Sequence, residues 1–189
     1  MEKLFVAEQD QIYDGFRLGE RIYSSGFRPT FIVGLWRGGS VVGMVVQECL
    51  ATLGVEADHM SLRTSYAGRE AYEQQALSAA PIHVHGKQYL LEHLNAADRL
   101  LIVDDVYSSG RHVNAVLHQL RLGLKRNMPT QVRVAALWFR PGRPGASRPD
   151  YYLHETDQWL VLPYEMKGLS VAEIRDHKPF LVSMLELDG

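Results

Sequence analysis

Leu100-Leu101-Ile102-Val103-Asp104-Asp105-Val106-Tyr107-Ser108-Ser109-Gly110-Arg111-His112 is an apolar run followed by two adjacent acids and a small, hydroxyl-rich loop. Four aliphatic residues without polar interruption predict a strand buried on both faces. That places Asp104 and Asp105 at its carboxyl end, where open α/β sheets bind ligands. Ser108, Ser109 and Gly110 offer backbone N–H groups and two hydroxyls, and Arg111 and His112 open a helix whose positive dipole end points at the same spot. Vicinal ribose hydroxyls are donors spaced to suit the two carboxylates, which can also hold a hydrated Mg2+ ion. The stretch therefore predicts a sugar-phosphate pocket.

Upstream, Phe31 to Leu35 predicts a second buried strand, which runs into Trp36-Arg37-Gly38-Gly39-Ser40. Val42, Val45, Val46 and Cys49 then follow at i, i+3, i+4, i+7, the spacing of a helix packed on a sheet. Two glycines let backbone N–H groups approach an anion closely, and Arg37 supplies a fork matched to phosphate oxygens. Two anion loops beside one acidic pair imply a ligand carrying phosphate at both ends of a ribose. Neither loop has the spacing of a nucleoside-triphosphate P-loop, and no G-x-G-x-x-G occurs.

Val113, Val116, Leu117 and Leu120 predict the helix after the acidic strand, and His59 to Arg63 and Val132 to Leu137 predict further strands. Short strands are expected at Tyr151 to Leu153 and Trp159 to Leu162. An N-terminal helix is expected to present Ile12, Phe16, Ile22 and Tyr23 and to end near Ser25 and Gly26. A last helix is expected from the capping-box pattern Ser170-Val171-Ala172-Glu173. The polar region 64–94, punctuated by Gly68, Pro81 and Gly86, reads as a mobile flap with a short hairpin around Ile82 to Val84. Alternating strands and helices predict an α/β fold, a mostly parallel twisted sheet flanked by helices and built with right-handed crossovers.

The 189 residues suit one domain, and 46% hydrophobic content suffices for its core. Twenty Lys and Arg against 22 Asp and Glu leave a net charge of -2, so no global positive field recruits nucleic acid or an anionic membrane. Cys49 is the single cysteine and reads as packing. Met1 to Glu8 lacks a basic, apolar leader pattern, and cytoplasmic residence is expected. His83 and His85 form an i, i+2 pair, but without a third ligand at useful spacing they do not predict a metal site.

The strand, acid pair and loop resemble the 5-phosphoribosyl-1-pyrophosphate (PRPP) signature of type I phosphoribosyltransferases, and Arg37-Gly38-Gly39 resembles their pyrophosphate loop. Thr64-Ser65-Tyr66 resembles the start of the catalytic flap in the purine enzymes. Phe139-Arg140-Pro141 and Asp157 to Glu165 resemble base-binding segments of bacterial xanthine-guanine and hypoxanthine phosphoribosyltransferases. The resemblance implies a single domain over 1–189, with a flap about 64–94 and hood segments about 139–165. It implies transfer of the phosphoribosyl group from PRPP to a 6-oxopurine, with Mg2+, in purine salvage, or else a weakly active or inactive PRPP- or nucleotide-binding regulatory protein.

Carried over residue by residue, it puts Asp104 and Asp105 at the ribose hydroxyls and the metal, and Ser108, Ser109, Gly110, Arg111 and His112 around the 5'-phosphate. Arg37, Gly38 and Gly39 would face pyrophosphate, and Ser65 and Tyr66 would begin the closing flap. Arg63, Arg69 and Lys87 are flap cations that could reach the pyrophosphate. Trp159 would stack on the base, the Leu160 backbone would read its edge, and Arg140 would meet the 6-oxo group where relatives use Lys. The family's pyrophosphate loop tends to hold a non-proline cis peptide, here expected between Trp36 and Arg37.

Two positions depart from the pattern. Ser108 stands where the 6-oxopurine enzymes carry an Asp near N7 of the base, and His112 stands where they usually carry a Thr. Serine lacks the charge to stabilise a protonated base; His112, if protonated, would favour the phosphate. By analogy of fold the chain is expected to form a homodimer or higher homo-oligomer, with Trp36 or Trp138 as interface residues.

Overall fold

Strand β4 (Arg99–Tyr107) is the centre of the molecule, and its alternation explains the uninterrupted apolar run. Leu100 and Ile102 enter one hydrophobic cluster while Leu101 and Val103 enter the other, so every side chain of the run is buried. The computed structural model describes residues 2–64, 82–141 and 147–186.

Around β4 lie β2 (Phe31–Trp36), β3 (Asp58–Arg63), β5 (Gln131–Phe139) and β6 (Tyr151–Glu155), in a five-stranded parallel sheet ordered β3-β2-β4-β5-β6. Helices α1 (Glu8–Ser24) and α2 (Gly38–Thr52) cover one face. Helices α3 (Gln88–His93) and α4 (Arg111–Leu124) cover the other. A separate two-stranded parallel pair joins β1 (Lys3–Phe5) to β7 (Trp159–Val161), and α5 (Val171–His177) and α6 (Pro179–Met184) close the chain. The α/β architecture expected from the sequence is the one observed. Among the described residues no helix is long and apolar enough to cross a membrane.

β4 carries the two acids near its carboxyl end and stays paired with β5 as far as Tyr107 opposite Phe139, although its pairing with β2 ends at Val103. Several local expectations need correction. On α1 the buried face is Gln11, Asp14, Gly15, Leu18, Gly19 and Ile22, while Ile12 and Phe16 are exposed. Two glycines set that face. A Cβ at Gly15 would lie 2.7 Å from Val45 Cγ1, and one at Gly19 would lie 2.7 Å from Cys49 Cβ, so α1 and α2 approach too closely for larger residues.

The downstream part of the expected flap, from Ile82 to Leu94, contains no hairpin. His85 makes one antiparallel bridge to Arg63, and α3 then sends Leu90 and, beyond its end, Leu94 into the core. β1 has no signature in the sequence, because three residues are too few to show a period. Trp138 is half-buried and packs against the core beside His154, with ring centroids 4.4 Å apart, while Trp36 is exposed. The capping box at Ser170 and Glu173 is formed as expected.

Candidate active site

Where β2 stops pairing with β4, a crevice opens, and strand alternation starts the two acids on opposite sides of β4. Asp104 lines the concavity of the Ser108–His112 loop. Asp105 reaches the N-terminus of α2, where a Cβ on Gly38 would collide with its Oδ2. The Asp105 N–H donates to Asp104 Oδ1 at 3.0 Å, and the Val106 N–H donates to Asp105 Oδ1 at 2.8 Å. Burial, reinforced by the neighbouring Asp105 charge, pushes the Asp104 carboxyl well above the usual carboxylate range.

The phosphate-type loop turns through Gly110, whose φ of 70° suits glycine, and the Gly110 carbonyl accepts the Asn114 N–H at 2.8 Å as α4 begins. This concavity adjoins a larger one and shares Asp104, Val106, Ser108 and His112 with it. His112 is neutral there. Burial and the Arg111 charge lower its pKa to about 4, while a hydrogen bond to the Thr64 backbone opposes them. At neutral pH His112 therefore carries charge only where a phosphate beside it raises its pKa again, and otherwise offers a neutral imidazole hydrogen bond.

Because the unfolded chain protonates this ring more readily than the folded one, His112 contributes stability that is complete above pH 6.5 and declines as pH falls toward 4. An NMR titration should place the His112 midpoint near 4; a midpoint near 6.5 would contradict the burial seen here.

On the opposite wall stands Arg37, and the Trp36–Arg37 peptide is cis. Neither Gly38 nor Gly39 has a positive φ. Their glycines answer to close approach: a Cβ on Gly39 would lie 2.5 Å from the Val103 carbonyl oxygen. That tightness brings the N-terminal amides of α2 against the end of β4.

The third wall comes from the hood. Arg140 follows β5, its N–H donating to the Tyr107 carbonyl at 2.8 Å, and its guanidinium lies 5.0 Å from the centroid of the Trp159 ring. The Trp159 N–H donates to Glu2 and the Val161 carbonyl accepts from Val6, so alternation turns the Leu160 N–H and carbonyl away from β1. Leu160 lines the pocket.

Tyr164 and Glu165 close the segment that resembles a base-binding stretch, and both reach the centre. The Tyr164 hydroxyl donates to Asp105 Oδ2, and Glu165 Oε1 lies 3.5 Å from Arg37 Nη2. Burial and the Asp105 charge raise the Tyr164 pKa, and burial raises that of Glu165. Thr64 and Leu162 also line the pocket. No spacing rule could have found Tyr164 or Glu165, since their partners are 59 and 128 residues away.

Ser65, Tyr66 and Arg69 lie outside the described residues. Arg63 ends β3 and is exposed. Lys87 turns to α4, where its ammonium donates to Gln119 Oε1, and it is not brought to the pocket. Among the described residues no group of three or more His, Cys, Asp or Glu could hold a metal ion by itself. The half-buried acids Asp104 and Asp105 nonetheless line one pocket, and a cation relieves the repulsion of two neighbouring carboxylates. This donor set fits Mg2+ that keeps water and substrate oxygens among its ligands.

Residues 8–168 match the family described as the phosphoribosyl transferase domain. The chain is 29% identical over 129 residues to the bifunctional protein PyrR of Akkermansia muciniphila, covering 68% of each protein. Its fold is similar to that of a purine phosphoribosyltransferase from Pyrococcus horikoshii, with a TM-score of 0.63 and 22% identity, over 90% of this chain and 98% of that one. It is also similar to a hypothetical protein from Neisseria gonorrhoeae with bound ppGpp, with a TM-score of 0.65 and 18% identity, over 97% of each chain.

Proposed function

Because the chain belongs to the phosphoribosyltransferase family, we infer that it transfers the 5-phosphoribosyl group of PRPP to a 6-oxopurine, releasing pyrophosphate in purine salvage. One observation carries the choice of base: Arg140 and Trp159 face each other in the pocket. An aromatic face and a cationic fork are what a flat, carbonyl-bearing ring requires.

In this reading Asp104 and Asp105 accept from the ribose hydroxyls, and the loop from Ser108 to His112 holds the 5'-phosphate at the start of α4. Arg37 and the α2 amides beside Gly38 and Gly39 hold pyrophosphate. A ring nitrogen of the base attacks C1 as the C1–O bond breaks, and pyrophosphate leaves with the electron pair. Asp104 and Asp105 would hold Mg2+, which when bound supplies positive charge against the charge developing on the leaving group. Arg37 adds to that charge, and Leu160 and Leu162 keep the base side of the pocket apolar. Ser65 and Tyr66 would begin a flap that excludes water. The reaction is placed in the cytoplasm, and a homodimer or higher homo-oligomer is part of the same reading.

A regulatory reading, in which the pocket holds PRPP or a nucleotide with weak or no turnover, is favoured by Ser108. That residue cannot supply the charge of an acid near the base, and a lost acid-base group costs about 10²- to 10⁴-fold in rate. The fold neighbour with bound ppGpp shows that a protein of this fold can bind a nucleotide, which is consistent with this reading. Pyrophosphate release should be measured with PRPP, Mg2+ and a panel of hypoxanthine, guanine, xanthine, adenine and uracil. Product with a 6-oxopurine is the expected result. Tight PRPP binding without product from any base would select the regulatory reading, and neither binding nor product would overturn both.

A further inference from the structure

We propose that Lys178 is a positioning residue that sets the hood over the pocket by holding the carbonyls of Leu162 and Pro163. This rests on the reading of the hood as the base-side wall. Lys178 lies in the corner between α5 and α6 and is 3% exposed. Its backbone is tied on both sides: its N–H donates to Ile174 at 2.7 Å, and its carbonyl accepts from Leu181 at 2.9 Å. A buried ammonium needs acceptors, and Nζ donates to the Leu162 carbonyl at 3.3 Å and the Pro163 carbonyl at 2.5 Å. The carboxylates of Glu8 and Glu165 also favour its charge, against the burial that opposes it.

The two carbonyls it holds belong to the turn that follows β7, in which the Glu165 N–H donates to the Leu162 carbonyl at 2.9 Å and the Leu162 N–H donates to Glu165 Oε2 at 3.3 Å. β7 ends at Val161, so the Leu162–Pro163 step has left its ladder, and proline has no N–H of its own to donate. Immediately before that step Leu160 lines the base side. Immediately after it Tyr164 meets Asp105 and Glu165 meets Arg37. The ammonium therefore ties this turn, and with it the base wall and the acid and pyrophosphate walls, to the corner between α5 and α6.

The clasp that carries Lys178 is itself anchored. Ser170 and Glu173 cap α5, and Glu173 also accepts from the Lys3 ammonium beside β1, the partner strand of β7. Lys178 lies beyond residue 168, where the match to the family ends, and it does not line the pocket. It acts through the backbone it holds.

Lys178→Met keeps the length and apolar stem and removes the donors; Lys178→Arg keeps charge and donors. Lys178→Met is expected to lower kcat/KM by about 10- to 100-fold, mainly through a raised KM for the base, with Lys178→Arg recovering most of the loss. Hydrogen exchange should rise in residues 159–166 of Lys178→Met and stay unchanged in residues 100–107. Unchanged exchange in 159–166 together with an unchanged KM would overturn the assignment. So would exchange rising equally in both segments, which would mark general loosening. If the unmodified protein transfers to no base, the reading of function fails, and the exchange comparison still decides the role of Lys178.

Discussion

Replacing Asp104 and Asp105 together by Asn should abolish PRPP binding while leaving the fold at least as stable. Asn matches Asp in shape but removes both charges and turns one acceptor per side chain into a donor, facing ribose hydroxyls that are themselves donors. Losing two charge-assisted hydrogen bonds at about 1.5–3 kcal/mol each weakens binding by roughly 10²- to 10⁴-fold. Stability moves the other way. The Asp104 carboxyl is raised in the folded chain by burial and by Asp105, so it binds a proton more tightly there than when unfolded. Its contribution to stability therefore falls as pH rises through and above the ordinary carboxylate value, and that loss disappears when both acids become amides. Calorimetric titration with PRPP and Mg2+, paired with thermal melting at pH 7, reads both arms. Unchanged PRPP affinity would refute the assignment of these acids to the ribose.

Gly39→Ala should cost about 10²-fold or more in kcat/KM, because it moves a whole wall of the pocket. The added Cβ would lie 2.5 Å from the Val103 carbonyl oxygen and 2.9 Å from Asp104 Cα, both backbone atoms of the central strand. β4 is packed on both faces and cannot yield, so the start of α2 must retreat, and Arg37 and Gly38 go with it. A stability loss of about 1–3 kcal/mol is expected for such overpacking. Gly38→Ala is the informative contrast for stability, since its Cβ meets the Tyr164 hydroxyl and the Asp105 carboxyl group rather than backbone of the central strand. Melting temperatures of the two variants should rank Gly39→Ala as the more destabilising, while both lose rate, Gly38→Ala because it displaces Asp105. The reverse order would mean that α2 is not held against β4 by the close approach at Gly39.

The sheet was legible because its strands declare themselves over consecutive residues. Leu100 to Val103 and Phe31 to Leu35 are apolar without interruption, and Val113, Val116, Leu117 and Leu120 repeat with a helical period that the structure buries. The same reasoning failed on α1, where Ile12 and Phe16 carry the apolar signal while Gly15 and Gly19 form the packed face. Close packing selects for small size, and a hydrophobicity pattern does not register it. It failed again at Gln88 to His93, a short helix in a polar neighbourhood whose place is decided by Leu90 reaching a core contributed by distant strands.

What the sequence by itself determined is the order of the chemistry along the chain. The acid pair, its phosphate-type loop and the Arg37 loop each follow a buried strand without a break, and strand, loop and helix impose their geometry over a few bonds. Only the tertiary structure decided how these pieces meet. Strand alternation starts Asp104 toward the α4 loop and Asp105 toward α2, and the hood returns Tyr164 to Asp105 and Glu165 to Arg37. β1 and the Lys178 clasp then hold the hood in place. Those contacts join residues far apart in the chain, and their partners are fixed by the shared packing of the sheet and its covering helices rather than by local spacing.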